Sequence, residues 1–390
     1  MPSPDLQKEA ERQFTVCNAC RYCEGYCAVF PAMERRRVFQ PGDVEYLANL
    51  CHDCRDCYYA CQYAPPHEFA INIPGLLSDV RSETYLGSPA AEHPRLPQGG
   101  VGRFLLVASL AALLGVALTA LVRGLSPLLL LHSGPGAFYS ILPEWLLDLL
   151  FLALAGVWLA VWIRAGKRFW RATSPGGEPG GATPGALFRA LADAFTLRYL
   201  GGGGQGCTYP AEHPSGLRRI FHHLVFYGFL LDLAATMLAA VYDHLLGIPA
   251  PYPLWSPVVL LGSVGGLGIL AGAAGLLWLK ARLGEALEAP SLRRLDVAFL
   301  IALLLVAATG FLLLALRSTA LMGPLLIVHL ATVAALFLTA PYGKFVHLVY
   351  RYASLVRYTL EAGPGAAVQA EDAGTDVAAE SRAGHERLMR

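Results

Sequence analysis

Hydrophobic and polar positions divide the chain into two parts. The first ~100 residues are polar, and from Gly102 onward long apolar stretches follow one another. Six of them reach the length of about 20 residues that a helix needs to cross a bilayer. They lie near residues 103–123, 144–164, 220–245, 256–280, 294–316 and 322–349. The pattern predicts six membrane helices behind a polar N-terminal domain.

Composition supports this division. The 390 residues are 55% hydrophobic and only 15% charged, which is typical of a membrane protein. The net charge of +1 gives no reason to expect nucleic-acid binding. An amphipathic stretch, ALFRALADAFTLRYL, follows a flexible linker at 172–184, and we expect disorder from Glu361 to Arg390.

Positive charges in the connections predict the orientation. The three alternate loops hold only Arg123 and Arg317, whereas the remaining connections and the segment after the sixth stretch are basic. These basic residues are Arg164, Lys167, Arg168, Arg171, Arg189, Arg198, Arg218, Arg219, Lys280, Arg282, Arg293, Arg294, Lys344, Arg351 and Arg357. By the positive-inside rule, both termini are expected in the cytoplasm.

Eight of the nine cysteines form two copies of one spacing, Cys-x2-Cys-x2-Cys-x3-Cys. This spacing is typical of paired iron–sulfur clusters, in which the fourth cysteine of each run ligates the other cluster. We therefore predict two [4Fe–4S] clusters with crossed ligands. Cys17, Cys20, Cys23 and Cys61 would hold the first, and Cys51, Cys54, Cys57 and Cys27 would hold the second.

Three other interpretations compete for these cysteines. One Cys-x2-Cys alone would also suit a zinc knuckle or a redox pair, and a disulfide framework is the third alternative. Two identical four-cysteine runs behind the polar start MPSPDLQKEAERQ disfavour all three. Because EYLANL between the runs has a helical pattern, we expect a helical ferredoxin. Cys207, after GGGGQG, is interpreted as structural, and that loop lacks the preceding strand of a dinucleotide site.

The predicted fold class is all-α, with a helical two-cluster ferredoxin-like domain followed by a six-helix cytochrome b bundle. Its predicted domains are residues 1–92 (iron–sulfur), 93–219 (linker, two membrane helices and a loop), 220–360 (four membrane helices binding haem) and 361–390 (tail).

Histidines within apolar stretches are costly and suggest ligands. His329 and His347 lie about five helical turns apart, hence on one face if the sixth stretch is a single helix. With the third and sixth helices antiparallel, His222 or His223 would match the depth of His347, and His244 that of His329. Haem b requires two such imidazoles. We predict His222 and His347 as one axial pair, with His223 as the alternative to His222. A second pair of His244 and His329 is less favoured.

The other polar side chains have plain structural alternatives. Helix-end histidines often lie at the membrane interface, and a single intramembrane histidine is commonly a hydrogen-bonded structural residue. His52 and His132 are expected to be non-ligands. Asp232, in the middle of the third stretch, would either relay protons near a quinone or be a structural carboxyl.

Three segments carry a resemblance to a known family. CNACRYCEGYCAVFPAMERRR, YLANLCHDCRDCYYACQYAPPHEFAINIP and PYGKFVHLVYR resemble the tricarballylate/citrate utilisation protein B family. The resemblance covers nearly all of residues 12–360. It implies a membrane iron–sulfur and haem b protein that reoxidises the reduced flavin of a soluble dehydrogenase and passes the electrons to the membrane pool.

Helices three to six also resemble the cytochrome b subunit of respiratory nitrate reductases. RRIFHHLVFYGFLLD, GGLGILAGAAGLLWLKARLG and HLATVAALFLTAPYGKFVH carry this likeness. It implies that His222, His329 and His347 occupy haem-ligand positions. The fourth position falls on Asp232, which cannot supply an imidazole, so one haem is expected and a second only if His244 substitutes.

Together these features predict an inner (plasma) membrane electron-transfer subunit. A cytoplasmic FAD-dependent dehydrogenase of the tricarballylate type would reduce it, and quinone would be its acceptor. No residue pattern indicates a substrate-binding clamp, so the organic chemistry is expected in the partner. Two alternatives are an electron-transfer partner of a cobalamin-biosynthesis flavoprotein and, from another class, a membrane redox sensor.

Overall fold

A computed structural model describes residues 2–87, 100–174, 181–204, 206–284 and 287–363. The predicted linker before Gly100, much of the 172–184 linker and the tail after Gly363 lie outside these residues. Within the described residues all regular structure is helical apart from one isolated bridge, Cys207 with Ser215. This confirms the all-α fold class.

Five helices build the N-terminal domain, which we call the head (residues 2–87). They are α1 Pro4–Cys20, α2 Val29–Glu34, α3 Pro41–Leu50, α4 Asp56–Tyr59 and α5 Ile73–Leu86. A capping box between Gln40 and Asp43 starts α3, and the side chain of Asn72 accepts from the N–H of Gly75 at the start of α5. The helix predicted between the two cysteine runs is therefore confirmed as α3.

The remaining helices form the bundle and its cover. They are α6 Val101–Arg123, α7 Glu144–Thr173, α8 Pro184–Thr196, α9 Leu217–His244, α10 Pro257–Ala281, α11 Pro290–Leu316, α12 Met322–Thr339 and α13 Val346–Ala362. Among the described residues six helices are long and apolar enough to cross a membrane, namely α6, α7, α9, α10, α11 and the 322–342 segment that begins with α12. The predicted number and order of helices long and apolar enough to span a membrane are thus confirmed.

The sixth predicted stretch, 322–349, is wrong as one continuous helix. A 3-10 turn at Ala340–Tyr342 follows α12, and α13 starts only at Val346. Pro341 lacks the N–H that a continuing α-helix would use, and its ring disfavours the helical conformation before it. His329 and His347 consequently belong to different helices, and the argument that placed them on one face fails.

Glycines let α9 and α10 pack closely. A Cβ on Gly265 would lie 2.7 Å from the backbone oxygen of Gly228, and one on Gly272 would lie 2.6 Å from that of Phe221. Small residues at such crossings allow helix backbones to approach within a membrane. This contact fixes the position of the first turns of α9, where His222 lies.

The head packs onto one end of the bundle, which we call the head end. Its core includes Phe14, Tyr46 and Leu77, and it continues into Ala190 of α8 and Leu355 of α13. Helix α13 therefore covers the head, although the predicted tail was expected to begin at Glu361. Glu361 instead forms an ion pair with Arg36 of the head at 2.6 Å.

Candidate functional site

Five cysteine side chains line one cavity of the head, and one of them, Cys57, also lines a second cavity. Cys17, Cys20, Cys23 and Cys61 surround a space of about 260 Å³. The first two come from the end of α1, the third from the following turn, and Cys61 from the segment just after α4. The side chains predicted to share the first cluster, including the crossed Cys61, are therefore neighbours in space.

A second cavity lies beside the first. Cys27, Cys51, Cys54 and Cys57 line it, and Phe30, Cys57 and Ile73 belong to the walls of both cavities. Cys27 is thus found with the second run, as crossed ligation requires. Cys20 is exposed, whereas Cys51 and Cys54 are buried, so the first cavity is the outer one and the second faces the bundle.

The electrostatics of these thiols suit metal ligation. Burial, together with the neighbouring cysteines, raises the pKa of Cys17, Cys23 and Cys27 to about 12. Free thiolates would be unstable in such surroundings, and a bound metal centre supplies the positive charge that stabilises them.

The spacing of the sulfurs does not support the zinc alternative. In the part of the chain that the structure describes, the one group with three metal-ligating atoms within 4.8 Å of one another is Glu144, Asp148 and His244. All nine cysteines are described and all are free, so the disulfide alternative is not supported either. Zinc–sulfur bonds of about 2.3 Å would bring sulfurs within roughly 4 Å of one another. The wider arrangement fits a larger core, such as an iron–sulfur cluster.

The loop from Cys51 to Cys57 has an unusual backbone. Asp53 and Arg55 both adopt positive φ, 55° and 71°, a conformation that costs L-residues roughly 1–2 kcal/mol each. Arg55 is fully buried, its guanidinium lies 4.7 Å from the Tyr209 ring centroid, and it forms an ion pair with Asp53 at 3.2 Å. These contacts hold the loop in the shape that directs its cysteines inward.

The same loop, with the end of α3 just before it, is hydrogen-bonded to the rest of the protein. Arg218, in the first turn of α9, donates to the oxygen of Asp53 at 2.5 Å, and Arg351 of α13 donates to the oxygen of Leu50 at 2.8 Å. Thr208 donates from its N–H and its hydroxyl to Asp56 at 2.8 and 2.7 Å. The inner cavity is therefore held against the helices that carry His222 and His347.

His222 and His347 lie near each other at the head end. Burial, then Lys344, then His222 lower the pKa of His347 to about 3, so this imidazole is neutral. Its Nδ1 donates to the backbone oxygen of Lys344 at 2.7 Å; with Nδ1 protonated, Nε2 is free to bind a metal. Nδ1 of His222 is buried without a hydrogen-bond partner.

His223 points elsewhere. Its ring lies beside the backbone of Phe195 and Thr196 and is 5.6 Å from the ring of Tyr227. Tyr227 itself donates to the oxygen of Phe195 at 2.9 Å. The geometry favours His222 over its neighbour as the partner of His347.

An aromatic cluster lies next to this histidine pair. Phe345 is 5.4 Å from Phe229, 4.7 Å from Phe299 and about 6 Å from both Trp158 and Trp162. The indole nitrogens of both tryptophans are buried without a hydrogen-bond partner. Two half-buried imidazoles beside an apolar aromatic lining and unused N–H donors fit a haem b with its propionates.

The two histidines of the second predicted pair, His244 and His329, each contact other residues. His244 lies 3.2 Å from Glu144 and 3.6 Å from Asp148, at the opposite end of α9 from the head. His329 is 3.1 Å from the hydroxyl of Thr309, on α11. Each imidazole has other partners because tertiary contacts, which the depth argument omitted, decide where a side chain points.

The remaining singled-out residues have structural contacts. Cys207 is buried, and its Sγ donates to the oxygen of Leu200 at 2.8 Å. His132 lies 2.9 Å from the oxygen of Pro127, and His52 lies 3.0 Å from both the oxygen of Leu50 and the guanidinium of Arg351. Asp232 lies beside Gly265 of α10, and its Oδ1 is buried without a hydrogen-bond partner.

Sequence reasoning missed the arginines that join the two halves. Arg218 and Arg351 were counted only as loop charges, yet both bond to the cysteine loop. Each is four residues from a predicted haem ligand, His222 or His347. Since such a spacing puts two side chains on one helix face, it was the available signal.

Comparisons with known proteins show which family the chain resembles. Residues 99–368 match the family described as Citrate utilization protein B, and residues 10–86 match the Citrate utilization protein B Fer4-like domain. A curated relative, Citrate utilization protein B of Escherichia coli, is 46% identical over 367 residues, which cover 91% of this chain and 92% of the relative. No solved structure matches the chain. The Fer4-like match, with its clustered cysteines, supports iron–sulfur binding by the head.

Proposed function

The chain belongs to the Citrate utilization protein B family, and on that premise we propose that it reoxidises a reduced flavoprotein dehydrogenase and delivers the electrons to quinone. Two [4Fe–4S] clusters and one haem b, when bound, would supply one-electron carriers between a two-electron donor and a two-electron acceptor. The relative's name favours a dehydrogenase that acts on citrate or a similar tricarboxylate, such as tricarballylate.

One observation carries this proposal: three candidate redox sites lie in sequence from the surface of the head to the bundle. The outer cavity, with exposed Cys20, shares a wall with the inner cavity. The loop of the inner cavity is bonded to Arg218 and Arg351, on the helices that carry His222 and His347. A sensor would need only one labile cluster, whereas this series suits conduction.

The outer cavity is where a flavoprotein would dock. Tyr22, which lines this cavity, is 66% exposed, and Cys20 lies beside it. An exposed aromatic ring at the rim of a redox site supplies contact area for a partner. The head thus places its outermost thiolates within reach of that partner.

We place the protein in the inner (plasma) membrane, with the head and both termini in the cytoplasm. The support is the position of the basic connections. The connection between α10 and α11 reaches the head, where Arg55 donates to the oxygen of Leu287 at 3.5 Å. The positive-inside rule assigns the side of the membrane with the basic connections, here the side of the head, to the cytoplasm.

The test is to mix the purified full-length protein in nanodiscs with a reduced flavoprotein and to record haem absorbance. The α-band of reduced haem should appear after mixing and should disappear when a quinone is added. A pyridine haemochrome assay with iron and sulfide counts should give about one haem, nine irons (eight in the clusters and one in the haem) and eight sulfides per chain, to within about 20%.

Two donor flavoproteins should be compared, one of the tricarballylate-dehydrogenase type and one from cobalamin ring contraction. If the flavoprotein from cobalamin ring contraction reduces the haem faster, it replaces the tricarballylate-dehydrogenase type as the proposed partner. Absence of haem reduction by either, with midpoint potentials out of order for transfer, would overturn the conduit and favour a redox sensor.

A further inference from the structure

A groove opens at the head end between α6, α11 and the turn that links α12 to α13. It is a shallow groove with a cavity volume of only about 40 Å³, so a ligand would lie mostly in its open part. Arg103, Tyr342 and Lys344 provide its polar part, and Phe104, Phe299 and Leu336 provide its apolar part.

Arg103 is the unusual member of this groove. It lies in the first turn of α6, a predicted membrane span, and its Nε is buried without a hydrogen-bond partner. Its guanidinium lies 5.2 Å from the centroid of the Tyr342 ring. A buried, unpaired N–H of an arginine is costly, which indicates an acceptor that the protein itself does not supply.

Lys344, the other cation of the groove, already has an ion-pair partner. Lys344 forms an ion pair with Asp296 at 2.7 Å, and Asp296 also pairs with Lys280 at 2.9 Å. Lys344 therefore contributes little free charge, and the groove presents a donor beside an apolar floor and no net cluster of cations. A single unpaired guanidinium beside an apolar floor suits a ligand that has a hydrogen-bond-accepting oxygen and an apolar tail.

The groove also lies next to the candidate haem ligand. Lys344 and Phe345 line it, and the backbone oxygen of Lys344 accepts the hydrogen bond of His347. Asp232, the acid that the sequence suggested for quinone chemistry, packs instead against α10. A ligand in the groove would be adjacent to the end of the proposed electron path.

We propose that this groove binds the head group of an isoprenoid quinone, with Arg103 donating to one carbonyl oxygen and the tail leaving between α6 and α11. This inference rests on the proposed function and names its acceptor site. The balanced reaction is one quinone, two electrons delivered singly and two protons from water at the head end, giving one quinol.

The first experiment needs no haem. The full-length protein in lipid nanodiscs is irradiated with an azido-ubiquinone, and the labelled peptides are mapped by mass spectrometry. We expect label in residues 100–104, 295–302 or 336–345, and competition by unlabelled decylubiquinone. Label confined to other helices would overturn the site even if the protein conducts electrons.

The second experiment measures kinetics with a matched pair of variants. Arg103→Leu should slow reoxidation of the dithionite-reduced protein by decylubiquinone about tenfold, the loss expected for one charge-assisted hydrogen bond, mostly through KM. Arg123→Leu, at the opposite and exposed end of the same helix, should match the unaltered protein. Haem content should be equal in all three.

The outcomes separate the site from the function. Equal rates for Arg103→Leu and Arg123→Leu would overturn the site, as would a deficit that disappears when cardiolipin is added, since that indicates a lipid-binding arginine. If the unaltered protein holds haem that no quinone reoxidises, the proposed function fails; photolabelling then still decides whether the groove binds quinone.

Discussion

Arg218 donates a hydrogen bond to the backbone oxygen of Asp53 across 2.5 Å, which joins helix α9 to the inner cysteine loop. The guanidinium also lies 4.5 Å from the centroid of the Tyr209 ring. One helical turn after Arg218 comes His222. A single side chain thus connects the two candidate redox sites, and it places a positive charge beside the inner one.

Replacing this charge should change the potential of the inner cluster. Arg218→Met removes a cation that favours the more negative, reduced cluster. We expect the midpoint potential to fall by on the order of 50–100 mV, measured by redox titration with electron paramagnetic resonance. Arg219→Met is the control, because Arg219 donates to the oxygen of Thr196 at an exposed position. Equal shifts in both variants would contradict a specific role for Arg218.

Crossed ligation can be tested by pairing cysteine variants. Cys61→Ser should reproduce the spectrum of Cys20→Ser, and Cys27→Ser that of Cys54→Ser, each with roughly half the iron lost. The reason is that each pair lines one cavity. If Cys61→Ser matched Cys54→Ser instead, each run would hold its own cluster.

Haem content should depend on two histidines and not on the others. His222→Ala and His347→Ala should each abolish the pyridine haemochrome, since either change removes one axial imidazole. His223→Ala, His244→Ala and His329→Ala should retain it, because those rings lie against Tyr227, Glu144 and Thr309. Loss of haem in His329→Ala with retention in His222→Ala would reverse the assignment.

Close packing of α9 on α10 should be sensitive to one methyl group. A Cβ on Gly272 would lie 2.6 Å from the oxygen of Phe221, next to His222, whereas one on Gly262 would meet nothing nearer than Ala235 at 3.7 Å. Gly272→Ala should therefore lower the free energy of unfolding by about 1–3 kcal/mol and lower the haem occupancy. Gly262→Ala should leave both unchanged. Thermal unfolding in detergent and haem per protein provide the measurements, and equal effects would contradict the packing argument.

The helices were largely predictable from local pattern. Long uniform apolarity makes a membrane span nearly independent of its neighbours, so α6, α7, α9, α10 and α11 begin within about four residues of their predicted positions. The error in the sixth stretch was also local. Pro341 and Gly343 were present in the sequence, but the apolar residues around them concealed the break before His347.

The chemistry was only partly predictable. The repeated cysteine spacing predicted which thiols lie together, and the cavities group Cys61 with the first run and Cys27 with the second, as that pattern requires. Histidine pairing had no such pattern. His329 is bonded to Thr309, and His244 contacts residues of α7, choices that depend on how helices rotate against one another.

The sequence by itself determined the number of spans and the two cysteine runs, since hydrophobicity and ligand spacing act over a few residues of chain. Only the tertiary structure decided that the head lies against the bundle, that Arg218 bonds to the inner loop and Arg351 to the end of α3 just before it, and that the ring of His223 lies beside Tyr227. Those contacts join residues far apart in the chain, and packing between helices sets them.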